Sequence, residues 1–198
     1  MRLFLLHLSI QIQTLVKKIL ILLCFFIAFK SYSQVTKKKL FVAFASSPIK
    51  LDAQLNEVDW EKAKGATGFW QYFPSDTTLA KQQADIKFLF DDNNLYVGIK
   101  VNSSGDNYIT PSLRRDFRAG GSDNITLLFD TFNDGTNAFL FGTNPHGVKR
   151  EMLLSGGGSE LRGFTAAWDT KWQCKTAIKD NHYIVEMIIP LSAFKYRE

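Results

Sequence analysis

The sequence predicts an all-β fold: an antiparallel β-sandwich of immunoglobulin-like or jelly-roll-like layering, with one short helix near its amino end. Three observations predict it. Apolar and polar residues alternate at period two in several short runs, as half-buried strands do. Asx or Gly residues suited to hairpin turns close most of these runs. Helical signal is confined to one stretch, Glu57 to Lys64.

A leader precedes the strands. Lys17 and Lys18 form a positive flank, and Ile19 to Phe29 is an unbroken apolar run of 11 residues. Ser31-Tyr32-Ser33 then supplies the small residues a signal peptidase needs before Gln34. Eleven residues are too few to cross a bilayer core, which takes about 20. A membrane anchor reaching back through Leu3 to Leu15 is the alternative, but Gln11, Gln13 and the lysines interrupt it. Cys24 follows Leu23, where lipid attachment wants a small residue. Residues 1–33 therefore predict a signal peptide, and with it export to the periplasm, outer membrane or extracellular space.

Loss of that leader changes the electrostatics. The whole chain carries a formal charge of +5, but Arg2, Lys17, Lys18 and Lys30 leave with the leader. The mature chain keeps 20 basic residues against 19 acidic ones, so nucleic acid is not an expected partner. Cys174 becomes the only cysteine, and no internal disulfide can form. The remaining 165 residues suit one domain that buries roughly 70% of its unfolded surface.

Residues 34–47 then predict a linker and first strand, with Lys37 to Lys39 solvated, and 48–198 the sandwich. Asn56 is the expected N-cap of the helix, with Glu57 and Asp59 near its positive end and Trp60 pinning it over one end of the sandwich. Ile86, Phe88 and Phe90 alternate with Asp85, Lys87 and Leu89. Asp91 to Asn94 turns the chain, and Leu95, Val97, Ile99 and Val101 return it as a hairpin. Ile125, Leu127 and Phe129 lead into the turn Asn133-Asp134-Gly135, and Ala138 to Phe141 returns. Val148 to Leu154 is a further strand. Lys171 to Ile178 and Tyr183 to Ile189 flank Asp180-Asn181, and the last of these is apolar on both faces until Pro190 stops pairing. A sandwich of this type normally adds another strand, so the carboxy end at Glu198 predicts truncation. Arg114 to Ser122 and Ser155 to Ala167 are longer loops, where binding residues concentrate.

These phrases together resemble family 9 carbohydrate-binding modules. Ile49-Lys50-Leu51-Asp52-Ala53-Gln54-Leu55-Asn56-Glu57-Val58-Asp59-Trp60 follows the family's I-x-L-D-G-x-L-x-E-x-x-W, with Ala53 where Gly is usual. Leu95 to Lys100 is similar to its L-Y-V-A-V strand. Arg115-Asp116 with Ser122-Asp123-Asn124 and Leu128-Phe129-Asp130 follows R-D…x-D-x-[IV], and Phe139 to Gly147 follows F-x-F-x-x-N-P-x-G. Trp168-Asp169-x-x-Trp172 and Glu186 to Pro190 complete the series. Each phrase is weak and their order is more specific. The combination also resembles secreted Bacteroidetes proteins in which such a module precedes a membrane-barrel domain.

The resemblance implies a non-catalytic domain that holds an oligo- or polysaccharide by aromatic stacking and hydroxyl hydrogen bonds. Two tryptophans wall the sugar in that family. Trp168, Trp70, Tyr72 and Trp172 are the aromatic candidates here, and Arg114, Arg115 and Asn144 are candidate hydroxyl partners. Aromatics with a polar tip also serve ordinary sandwich cores, and Arg115 with Asp116 is equally a loop ion pair. Asp123, Asn124, Asp130 and Asp134 offer hard oxygens near strand ends for a structural Ca²⁺, although turn chemistry accounts for such residues too. Catalysis finds little support. Only His146 and His182 remain after the leader, Gly156-Gly157-Gly158 lacks the lysine of a phosphate loop, and no carboxylate pair is marked for glycosidase work. Alternatives are an interaction or gating domain ahead of a membrane barrel, without sugar binding, and a haem-binding sandwich using His146, Met152 or a lysine.

Overall fold

The structure, a computed structural model, describes residues 13–20, 38–103, 105, 107–158 and 163–195. Two compact units are distinguished, Met1–Lys39 and Leu40–Glu198. In the first, residues 13–20 form a helix (α1) with exposed side chains. No described helix is long and apolar enough to cross a membrane. Cys24, the expected cleavage motif at 31–33 and the carboxy-terminal 196–198 lie outside the described residues.

The second unit contains the described strands: β1 (Ala43–Phe44), β2 (Ala84–Phe90), β3 (Asn94–Asn102), β4 (Ile125–Phe129), β5 (Ala138–Thr143), β6 (Lys149–Leu154), β7 (Phe164–Thr165), β8 (Gln173–Lys179) and β9 (His182–Pro190). They build a five-stranded sheet in the order β1-β2-β3-β9-β8 and a four-stranded sheet in the order β4-β5-β6-β7. Every pairing is antiparallel except β1 with β2. The all-β sandwich is therefore present, with a parallel edge that alternation alone did not reveal.

Two apolar clusters hold it. Between the sheets, Val97, Ile99, Val185, Met187, Ile189 and Phe141 are fully buried. Full burial of such a side chain contributes about 1.5–3 kcal/mol. Aromatic rings close one end of this layer. Phe141 meets Phe129, Trp168, Trp172 and Phe194 at centroid distances of 6.0, 5.6, 5.4 and 5.6 Å, in edge-on geometries that favour ring quadrupoles. The opposite face of the five-stranded sheet is covered by the segment before β2, where Ala45, Ile49, Trp60, Ala63, Leu89 and Tyr96 form the second cluster.

That second layer explains why β3 and β9 are apolar on both faces. It also corrects the helix. The helix α2 spans Val58–Lys62, its N-cap is Glu57 rather than Asn56, and Glu57 makes no side-chain cap. Trp60 lies over the sheet face, not over the end of the sandwich. Asp59 caps a different element: its carboxylate accepts from the amides and hydroxyls of Ser46 and Ser47 at 2.7–3.1 Å.

Candidate functional site

An exposed aromatic arm leads into β2. Ala66 bridges Ile86, and Trp70 bridges Leu79, with Gln71 donating to the Thr78 carbonyl and Ala80 to the Phe69 carbonyl. The Gln83 side chain accepts from the Phe69 amide at 2.9 Å and donates to the Phe69 and Ala80 carbonyls, so the base of the arm is fastened. Its aromatics stay in solvent: Trp70 is 59% exposed, Tyr72 93% and Phe73 82%. Such exposure runs against burial preference, and a cluster of it marks an interaction surface.

Phe69 also lines a cavity of about 510 Å³ between the start of β2, the end of β3 and the start of β4. Ser103, Asn107, Tyr108, Asp123 and Thr126 supply its polar groups, above an apolar floor that includes Ile86 and Val101. Tyr108 donates its hydroxyl to Ser103 at 2.8 Å and stacks edge-on against Tyr183 at 5.2 Å. Asp123 Oδ2 accepts from the Ile109 amide at 2.8 Å. Burial first, then the charge of Asp123, keeps the Tyr183 phenol protonated well above its ordinary range. The arrangement suits a small ligand rich in hydroxyls, combining flat apolar rings with a few fixed hydrogen-bonding groups.

The other candidates are dispersed. Trp168 is half-buried against Phe139 and Phe141, and it lines a recess of about 400 Å³ with Phe132, Leu153 and Lys195. That recess is at the Phe129 end of β4, while the arm is at the Ile125 end. Trp168 and Trp70 therefore do not wall one slot. Trp172 is 3% exposed and donates its indole N–H to Glu151 at 2.7 Å, which makes it core. Asn144 is wholly buried, its Oδ1 accepting from the His146 and Val148 amides, so it shapes a turn away from solvent. Arg115 pairs with Glu151 and with Asp169, and lies 3.8 Å from Asp116. Arg114 is exposed in the loop before them.

The four calcium candidates divide across β4. Asp123 and Asn124 precede it, and Asp130 and Asp134 follow it. Asp130 accepts from the Asp134 and Gly135 amides, and Asp134 from the Thr136 and Asn137 amides and the Asn137 side chain. These hydrogen bonds hold the Asp134 carboxyl far below its ordinary value. The four are thus not one ligand set, and among the described residues no group of three or more His, Cys, Asp or Glu is placed to hold a metal. For the haem alternative, His146 is exposed on a turn and Met152 is in β6, its sulfur accepting from Arg150. Cys174 packs against the inter-sheet core, and burial pushes its thiol up to about 11.

No protein-family profile and no curated protein matches the chain. Solved structures do. A family 9 carbohydrate-binding module from Caldicellulosiruptor kristjanssonii in complex with cellotriose aligns at a TM-score of 0.52 and 18% identity, covering 78% of this chain and 68% of that one. A family 9 module from the same organism in complex with glucose aligns at 0.53 and 17%, covering 81% and 72%. The fold is that of family 9 carbohydrate-binding modules. A Bacteroides uniformis protein described provisionally as carbohydrate-binding aligns at 0.54 and 13%, covering 77% and 72%.

The sequence singles out Trp70 and Tyr72, both exposed on the arm, but does not single out Phe69, Ser103, Asn107 and Tyr108, which line the cavity beside it. These four lie on irregular segments whose proximity depends on how the sheets stack. The available signal was the unusual density of aromatics from Phe69 to Phe73, which no strand pattern required.

Proposed function

We propose that this domain binds an oligo- or polysaccharide without cleaving it, at the aromatic arm and the polar cavity beside it. The observation that carries the reading is the exposure of Trp70 and Tyr72 next to a cavity lined by hydroxyl, amide and carboxylate groups. Pyranose faces are rich in C–H and stack on flat rings, while the cavity groups exchange hydrogen bonds with ring hydroxyls. The fold shared with modules solved with cellotriose and glucose supports it. Export behind residues 1–33 belongs to the same proposal, and amino-terminal sequencing of secreted protein checks it. The binding test is calorimetric titration with cello- and xylo-oligosaccharides. Saturable binding that disappears in Trp70→Ala/Tyr72→Ala supports the reading, and a folded wild type that binds none of them removes it.

A further inference from the structure

The outer face of the five-stranded sheet carries a row of cations beside the arm. Register places Asn102, His182 and Lys179 opposite one another across β3, β9 and β8. On the next rung Lys100 stands opposite Ile184, and Ile184 opposite Ala177. Lys175 continues the β8 side of the same face, since residues two apart share a face. Lys100, Lys175 and Lys179 are exposed, and none takes part in the four ion pairs among the described residues. Two acids lie on this face: Asp85, the register partner of Lys100, whose Oδ1 is buried, and the wholly buried Glu186, the register partner of Lys175. Asp180 sits in the β8–β9 turn.

This face is continuous with the arm. Leu79 lines a shallow depression together with Gln83, Asp85, Lys100 and Asn102. Trp70 is directly opposite Leu79 in an antiparallel bridge, so both side chains project to the same side. The exposed indole of Trp70 and the ammonium of Lys100 therefore address one surface. With strands about 4.8 Å apart, Lys100 and Lys179 stand about 12 Å apart at Cα, across two strands and one rung.

Resting on the carbohydrate reading, we propose that the ligand is an acidic polysaccharide bearing carboxylates, such as a polyuronate. Its sugar rings stack on Trp70 and its carboxylates pair with Lys100 and Lys179. Charge complementarity favours an anionic ligand. The hydroxyl, amide and carboxylate groups of the cavity beside the arm offer hydrogen bonds to a hydroxyl-rich chain, which favours a glycan over a bilayer. Burial first, then the charges of Lys100 and Lys179, holds the His182 imidazole below its ordinary range, with Asp180 opposing. A carboxylate arriving on this face offsets the lysines' share of that effect.

The test titrates the protein with oligogalacturonate and with a neutral cello-oligosaccharide, at low and at physiological ionic strength, alongside sedimentation with phosphatidylglycerol vesicles. The expected result is tighter, salt-sensitive binding of oligogalacturonate. It weakens roughly two- to thirtyfold in Lys100→Gln/Lys179→Gln, while neutral binding is unchanged. The His182 imidazole, followed by NMR, titrates at higher pH when oligogalacturonate is bound. Neutral binding with no preference for oligogalacturonate, or a preference that survives the double substitution, overturns the inference and leaves the carbohydrate reading standing. Binding to vesicles without binding to either glycan overturns both.

Discussion

The buried carboxylate of Glu186, near the middle of β9, accepts a hydrogen bond from the Ala53 amide at 2.8 Å across 133 residues of chain. The same oxygen, Oε2, accepts from the Asp52 amide at 2.9 Å. Ala53 is left-handed at φ 60°, a conformation that favours glycine and explains why glycine is usual at this place in the motif. Two of the phrases that carried the resemblance therefore meet in one structural clamp.

Removing the clamp is expected to be costly. Glu186→Ala leaves the Asp52 and Ala53 amides without their acceptor, so a loss of about 2–3 kcal/mol is expected in urea unfolding. A change below about 0.5 kcal/mol would show that the turn holds itself.

Glu186 also gives a pH signature. Burial raises its carboxyl above the ordinary 4.5, and the two amide bonds pull it back by less. The folded state then keeps a proton that the unfolded chain has released. Its contribution is complete below about 4.5 and declines as pH rises toward the folded value. The stability of Glu186→Gln relative to wild type is expected to improve across that window, and a pH-independent difference would count against it. Asp59 has the opposite sign. Hydrogen bonds, led by that of Ser46, hold its carboxyl below 3.8. Its contribution is present above that value and lost as acid is added, so Asp59→Asn is expected to flatten the acid limb.

Gly98 is required by close approach. It stands opposite Glu186 in the sheet, and a Cβ there would meet Leu55 Cδ2 at 2.8 Å and the Trp60 ring at 3.1 Å. Gly98→Ala is expected to cost about 1–3 kcal/mol. Adding Leu55→Ala should make the double mutant more stable than the sum of the singles, because the clash partner is gone. Strict additivity would rule out this packing.

Arg115 is the partner of a nearly inaccessible Glu151, which also receives the Trp172 indole N–H. Arg115→Ala leaves that carboxylate without its cation, and a loss of about 3 kcal/mol is expected. Joint replacement as Arg115→Met/Glu151→Leu should recover part of it. A loss in Arg115→Ala confined to sugar affinity, with stability intact, would instead return Arg115 to the binding site.

Trp168 separates packing from recognition. Its contacts with Phe139 and Phe141 mean that Trp168→Ala is expected to lower stability by about 3 kcal/mol, with sugar affinity kept under folding conditions. Trp70→Ala/Tyr72→Ala is expected to do the reverse, abolishing affinity at an unchanged melting temperature. Trp168→Ala that binds no sugar while folded would move the site to the recess at the Phe129 end.

Much of the scaffold was legible locally. The hairpin from Ile86 to Val101 needed only alternation around Asp91, whose Oδ1 accepts from the Asn93 and Asn94 amides. The site was less legible. Trp70 and Tyr72 stood out as aromatics within the dense run from Phe69 to Phe73, but their exposure, against the half-burial of Trp168, was not written there. Asn144 and Arg115 look like hydroxyl donors in a string of letters, but Asn144 is occupied by the amides of its own turn, and Arg115 pairs with Glu151 and Asp169, tens of residues away.

By itself the sequence determined strand periodicity, the turns and a short helix at Trp60, because these depend on neighbours two to five residues away. Only the tertiary structure decided which aromatics are exposed and which are core, that Glu186 closes on Ala53, and that Lys100 and Lys179 share a sheet face. Burial and register depend on residues tens to more than a hundred positions apart. No local pattern encodes that distance.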